Sequence, residues 1–304
     1  MILNKKILAA AFALILAGPA GAAGRPRVVA TFSLLGDWVR AVGGSDVDLN
    51  VLVGPGGDSH TYEPSPSDGR ALAEADIVVE IGLGFEPWMD RLMIASGGRA
   101  RQVRVTEGMP LRDAEGRRLA GAPGRGVNVD PHVWGDPTNT ASAVEAIRAA
   151  LCAADPSHSE DYGRRARAYQ AELASLDGWI RDRVASVPAD RRVLVTTHDT
   201  LGYWADRYGF RVVDTVFSTA GAESADPSAS QLARLSDDIR ARGVPAVFIE
   251  NVTNPAVSRA VAKAAGVRTA PPLFTDALGP KGSPGETYLE MMRYNAQVIA
   301  EALK

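Results

Sequence analysis

The longest run of regularly spaced apolar positions lies near the middle of the chain. Tyr162, Ala166, Tyr169, Leu173, Leu176, Ile180, Val184 and Val187 recur three or four residues apart, the period of one helix face. Ser159, Glu160 and Asp161 suit a helix start and Pro188 a stop, so the pattern predicts one helix over Ser159–Val187, about 40 Å long at 1.5 Å per residue. On either side the pattern changes to short apolar runs alternating with helical ones. Before it, strands are predicted at Arg27–Phe32, Asp48–Val53, Asp76–Ile81 and Gln102–Val105, with helices at Leu34–Val42, Pro66–Glu74, Pro87–Ala95 and Thr138–Ala153. After it come strands at Arg192–Thr197, Arg211–Val216, Ala246–Glu250 and Val267–Pro271. Helices fall at Leu201–Tyr208, Ser228–Arg242, Pro255–Ala265 and Gly285–Leu303. Strands alternating with helices imply parallel sheets. The predicted fold class is therefore α/β, with one lobe at 24–158, a second at 188–304, and the long helix at 159–187 as a strut between them; an ordinary long helix packed on a single domain is the alternative.

Residues 106–128 break the pattern. Gly, Arg, Pro and Ala dominate without periodicity, so an exposed loop or hairpin excursion is expected. Residues 1–23 differ again. Lys5 and Lys6 precede an apolar run from Ile7 to Ala17, followed by small residues ending in Ala22-Ala23. This is the composition of a secretory signal peptide, with cleavage expected after Ala22 or Ala23. No cysteine follows the run, so a freely soluble periplasmic product without a lipid anchor is expected.

Composition changes this picture little. The 304 residues are 46% hydrophobic and 23% charged, ordinary for a folded protein of two domains. The net charge of −3, or −5 without the two leader lysines, gives no basic surface for nucleic acid. Cys152 is the only cysteine; it excludes an internal disulfide and, beside Val144, Ile147 and Leu151, is expected to be a buried structural thiol.

Candidate chemistry rests on the four histidines. His60 follows the strand Asp48–Val53 across a glycine loop. His132 lies in Val129-Asp130-Pro131-His132-Val133-Trp134, and His198 ends the strand Arg192–Thr197. Asp276 occupies a similar loop after the last strand. In open α/β sheets, ligands bind outside the carboxyl ends of the strands, where all four would lie. A single histidine beside a strand end is ordinarily a satisfied polar residue. Three on equivalent loops with one carboxylate make a sensible shell for a divalent transition metal. Separations of 72, 66 and 78 residues mean that no local motif defines the site. Asp130, Asp199, Glu63 and Glu250 are candidates for orienting the imidazoles, with helix capping or plain solvation as the alternative. Trp134 and Tyr203 could shield the site, although core packing suits both. His158, in Pro156-Ser157-His158-Ser159, is expected to be solvated. No G-x-S-x-G elbow, P-loop or H-E-x-x-H helix occurs.

Six segments carry a resemblance to a known family: Val29-Ala30-Thr31-Phe32, His60-Thr61-Tyr62-Glu63-Pro64-Ser65-Pro66, Asp130-Pro131-His132-Val133-Trp134, His198-Asp199 with Gly202-Tyr203, Ile249-Glu250, and Asp276-Ala277-Leu278-Gly279. Together they resemble the metal-binding substrate-binding proteins of bacterial zinc and manganese ABC importers, over nearly all of the chain beyond the leader. The resemblance implies two α/β lobes joined by one long rigid helix, with the metal in the cleft between them on His60, His132, His198 and Asp276. It implies no enzymatic activity, a monomer, an ABC-transporter permease as partner and a periplasmic metallochaperone as a candidate second one. Some manganese-selective relatives carry glutamate at the position of His198, so histidine there favours Zn²⁺; Mn²⁺ or iron is the alternative, and a secreted zinc hydrolase a more distant one. Many zinc-type members have a histidine- and acid-rich loop near residues 106–128. Here that stretch has no histidine and contains Arg112, Arg117, Arg118 and Arg125, so metal capture by such a loop is not expected. A single stiff connector implies release by local movement around His60, Asp276 and residues 106–128 rather than by large lobe rotation.

Overall fold

A computed structural model describes residues 24–120, 127–215 and 228–304. The leader expected at residues 1–23 lies outside the described residues, as do Arg125 and Val216. Strands β1 (Arg27–Phe32), β2 (Asp48–Val53), β3 (Ile77–Glu80) and β4 (Arg101–Arg104) form a parallel sheet in the order β2-β1-β3-β4. Every residue of β3 is buried, which explains its unbroken Ile-Val-Val run: a parallel strand covered on both faces needs apolar side chains on both. The chain leaves β1 first toward β2 and later returns on the other side to β3. The carboxyl end of β1 is thus a switch point, where a crevice opens.

The second lobe has β5 (Val193–Thr196) paired with β6 (Arg211–Thr215), and β7 (Ala246–Val247) with β8 (Arg268–Thr269), all parallel. The Phe248 N–H donates to the Val195 carbonyl at 2.9 Å and ties the two pairs together. The last two strands are shorter than the sequence predicts. Pro271 and Pro272 have no N–H to donate, so the ladder stops there. Pairing resumes at once beyond them, with the Leu273 N–H on the Ile249 carbonyl at 2.8 Å and a parallel bridge from Glu250 to Leu273.

Nine α-helices of the described residues surround these sheets: α1 (Ser33–Gly43), α2 (Pro66–Glu74), α3 (Met89–Ser96), α4 (Pro137–Ala154), α5 (Ser159–Val184), α6 (Gly202–Tyr208), α7 (Ala229–Ala241), α8 (Pro255–Ala265) and α9 (Tyr288–Leu303). The strut is α5. Seven of the eight predicted apolar positions line its buried face. Glu160 and Asp161 in its first turn, and Arg181 and Arg183 in its last, complement the helix dipole. It ends at Val184 rather than Val187, because a residue before proline is driven out of helical geometry. Val187 stays buried just beyond, and the Arg192 guanidinium donates to the Val184 and Val187 carbonyls at 3.4 and 3.1 Å.

The two halves of α5 hold different lobes. Near its start, Arg165 pairs with Asp46 at 2.6 Å and the Tyr169 hydroxyl donates to Asp37 at 3.4 Å. Near its end, Asp177 accepts from Arg207 at 2.8 Å and from Tyr208 at 3.1 Å. The lobes are not separate cores, however. One continuous apolar cluster runs from Val28 and Trp38 through α5 to Trp204, Phe248 and α9, and a second, smaller one surrounds Val193, Leu235 and Val261.

Three smaller expectations change. The excursion after β4 is a hairpin, with antiparallel bridges Arg112–Arg118 and Asp113–Val129. It is not simply exposed, because Met109, Leu111, Arg112 and Asp113 are all buried. Cys152 is half-buried rather than buried, its sulfur 3.5 Å from an Arg148 nitrogen. His158 is half-exposed but paired, its Nδ1 2.5 Å from Asp155, which holds the imidazole pKa up.

Candidate metal centre

His60, His132, His198 and Asp276 converge at the carboxyl ends of the strands. One ligand atom from each lies within 4.8 Å of all the others. The Asp276 carboxylate is the hub: Oδ2 is 2.9 Å from His198 Nε2 and 3.5 Å from His60 Nε2, and Oδ1 is 3.8 Å from His132 Nε2. Asp276 and His198 are fully buried, and His132 is 1% exposed.

Local chemistry holds each group. Asp130 Oδ1 accepts from the backbone N–H of His132 at 3.0 Å and lies 2.8 Å from its Nδ1. Glu250 does the same for His198, accepting from the backbone N–H at 3.0 Å with its other oxygen 2.8 Å from Nδ1. A carboxylate on Nδ1 fixes the tautomer and turns Nε2 toward the centre. Thr275 donates to Glu250 at 3.1 Å, and Thr200 donates to Asp276 Oδ1 at 2.9 Å. His60 has its backbone fixed by Asp58 at 2.8 Å, and the Trp88 indole donates to the Ser59 carbonyl at 2.9 Å. Of the four carboxylates read as candidate orienters, Asp130 and Glu250 thus touch imidazoles. Glu63 is exposed, and Asp199 lies near Asp130, where burial and then that neighbour push its own carboxyl pKa up.

Aromatic rings wall the cluster. Phe85 lies edge-on to His60 at 4.7 Å between centroids, and Trp134 edge-on to His132 at 5.2 Å. Trp134 also donates to the Thr275 carbonyl of the other lobe at 3.0 Å, so it shields the site and packs the core at once. Tyr203 instead bridges Arg112 and Asp130, accepting from the former's N–H at 3.1 Å and donating to the latter's carbonyl at 3.2 Å.

Sequence reasoning missed Phe85, Glu86, Thr200 and Arg112. Phe85 and Glu86 follow β3 in a strand-end loop of the kind that exposed the histidines, so the same rule could have found them. The turn Gly82-Leu83-Gly84 has positive φ throughout (74°, 56° and 84°), a sharp reversal that aims Phe85 into the crevice. Such a conformation is costly at leucine.

The electrostatics suit metal capture. Burial alone would drive Asp276 toward the neutral acid, but the His198 and His132 imidazoles hold its carboxyl well below the ordinary range. Burial likewise works against a charged His198, yet Glu250 and Asp276 raise its pKa well above 6.5; Asp276 and Asp130 raise that of His132. The buried Nε2 atoms of His60 and His132 have no hydrogen-bond partner among the described residues. Buried polar nitrogens left this way are costly unless another species uses them. Three imidazoles and a carboxylate fit a divalent transition metal in that role.

Fold and cluster together define a solute-binding protein for a metal ion. The family described as zinc-uptake complex component A, periplasmic, matches residues 28–302, and the chain belongs to it. Similar proteins carry different metals in their names. The zinc-binding protein TroA of Treponema pallidum is 34% identical over 93% of this chain and 91% of its own length. The manganese-binding lipoprotein MntA of Halalkalibacterium halodurans is 32% identical over 91% of this chain and 88% of its own. The iron-binding protein YfeA of Yersinia pestis is 30% identical over 93% and 88%. The solved structure of Treponema pallidum TroA superposes with a TM-score of 0.83 at 33% identity, covering 92% of this chain and 99% of that one. The chain is accordingly a non-enzymatic, extracytoplasmic metal-binding component of an ABC importer.

Proposed function

We propose that the protein captures Zn²⁺ on His60, His132, His198 and Asp276 and delivers it to the permease of its importer. The observation that carries this reading is the convergence of three imidazoles and one carboxylate within 4.8 Å. A nitrogen-rich set favours zinc over the oxygen-rich shells that suit manganese. Four protein ligands satisfy a tetrahedral ion with no open position, as expected for carriage rather than catalysis. In this reading residues 1–23 are a cleaved signal peptide, and the product is a soluble periplasmic monomer. Residues 24–158 and 188–304 are the lobes joined by 159–187. The hairpin without histidines leaves loading to free ion or to a periplasmic metallochaperone. Manganese is the second reading, favoured by the likeness to MntA.

Competition titrations of the metal-free protein decide between them. Zn²⁺ is expected to bind in preference to Mn²⁺ and to raise the melting temperature, since a ligand at 100 times its Kd adds about 2.7 kcal/mol to the folded state. Mn²⁺ displacing Zn²⁺ at equal free concentration would reverse the assignment.

A further inference from the structure

We propose that Arg112 is a positioning residue for the metal site, acting on His132 through Asp130 and coupling that action to the contact between the lobes. The inference rests on His132 being a metal ligand. Arg112 comes from the hairpin after β4, yet its side chain is only 10% exposed. Its Nε lies 3.6 Å from Asp130 Oδ2 and its Nη1 3.5 Å from Asp206 Oδ2, on α6 of the other lobe. The guanidinium also covers the Tyr203 ring at 5.8 Å. The backbones of Arg112 and Asp130 are joined as well, by the Asp130 N–H donating to the Arg112 carbonyl at 3.0 Å.

Asp130 therefore has a partner at each oxygen, a hydrogen-bonded one at Oδ1 and a charge contact without a hydrogen bond at Oδ2. Oδ1 takes the backbone N–H and Nδ1 of His132, while Oδ2 faces the arginine. A buried carboxylate needs a cation or donors on each side to stay in one rotamer. Without the guanidinium, only the His132 side would hold Asp130, and the imidazole would lose a fixed reference. The guanidinium and the Asp130 carboxylate pack directly against the start of α6, where only a glycine leaves room for them. A Cβ built on Gly202, the first residue of α6, would lie 2.4 Å from Arg112 Nη1 and 2.6 Å from Asp130 Oδ2. Hairpin, Asp130 and α6 thus meet at one point, and Arg112 is in contact with all three.

The test compares Arg112→Met, Arg112→Lys and His132→Ala in the full chain, using Zn²⁺ competition with a chromophoric chelator and the visible spectrum of the Co²⁺ form. His132→Ala is expected to lose tight Zn²⁺ binding; wild-type affinity there would overturn the metal reading itself. Arg112→Met is expected to bind Zn²⁺ roughly 10–100-fold more weakly, with altered Co²⁺ bands, as outer partners of metal ligands do. Arg112→Lys, which restores the charge, is expected to recover most of the loss. Wild-type affinity and bands in Arg112→Met would overturn the proposal, as would a defect that Arg112→Lys leaves unrelieved. Should Arg112→Met not fold, Asp206→Asn decides: Zn²⁺ binding roughly two- to five-fold weaker supports the coupling, and unchanged binding overturns it.

Discussion

His60 and His198 face the same carboxylate oxygen but are held in opposite ways. His198 lies just beyond the buried strand β5, has Glu250 on both its backbone and its ring, and is fully enclosed. His60 sits on a loop entered through Gly54, Gly56 and Gly57, with 6% of its side chain exposed. Its backbone is anchored by Asp58 and its ring rests against Phe85. On the carrier reading proposed above, one side of the site would act as a wall and the other as a door: the buried, charge-backed ligands would supply affinity and the lightly braced one a path out.

Truncating each ligand in turn tests this contrast with the largest expected effects. Structural zinc sites gain roughly 10–16 kcal/mol from about four ligands, so one ligand accounts for about 3 kcal/mol, on the order of 100-fold in affinity. His198→Ala and Asp276→Ala should reach or exceed that loss in a Zn²⁺ competition titration, since each also strips a neighbour of its charge partner. His60→Ala should lose about tenfold less than either and should speed Zn²⁺ release in a stopped-flow chelator chase. Equal losses at all three positions would dissolve the distinction between wall and door.

Protons probe the same contrast more gently. In the metal-free protein His132 and His198 have pKa values raised above 6.5. Their protonation stabilises that form fully below about pH 6.5 and the contribution fades as pH rises through the raised values. Asp276, held well below 3.8, adds stability above that value that is lost only as pH falls through its depressed pKa. Zinc requires both imidazoles neutral and so must displace protons. Affinity should therefore climb with pH from about 6.5 and level off above the raised pKa values. Calorimetry at pH 7 in buffers of different ionisation enthalpy counts the protons: release is expected, and none at that pH would contradict the arrangement of Asp130, Glu250 and Asp276.

Periodicity made α5 legible, because a helix buried along one face must repeat its apolar residues. Strand-end placement made the convergence of the four candidate metal-site residues legible for a similarly simple reason. It could not reveal that one core runs through both lobes, since continuity depends on how α9 folds back onto α5 and α1. Nor could it show Arg112 buried. In sequence that arginine sits among Pro110, Arg117 and Arg118 and reads as solvated; only Tyr203, Asp130 and Asp206, distant along the chain, supply the ring and charges that let it leave water. Glu86 was hidden in the same way, its partners Thr31 and Ile81 coming from two different strands or their ends.

Glu86 offers the finest test of the door. It is buried behind Phe85 and accepts from Thr31 Oγ1 at 2.7 Å, the Ile81 N–H at 2.9 Å and the Gly82 N–H at 3.0 Å. Burial outweighs these donors and pushes its carboxyl up to about 7. The folded protein thus holds a proton there that the unfolded chain, near 4.5, has lost by neutral pH. The contribution is full below about pH 4.5 and disappears as pH rises through about 7. Glu86→Gln sets an amide N–H₂ against one of the donors, at a cost of about 1–3 kcal/mol. The melting-temperature deficit of the variant should accordingly be larger at pH 5 than at pH 8, where the wild type has given up its own advantage. Because the same turn presses Phe85 on His60, Zn²⁺ release should quicken by less than in His60→Ala. A deficit independent of pH would mean that Glu86 is already ionised at pH 5, its three donors outweighing its burial.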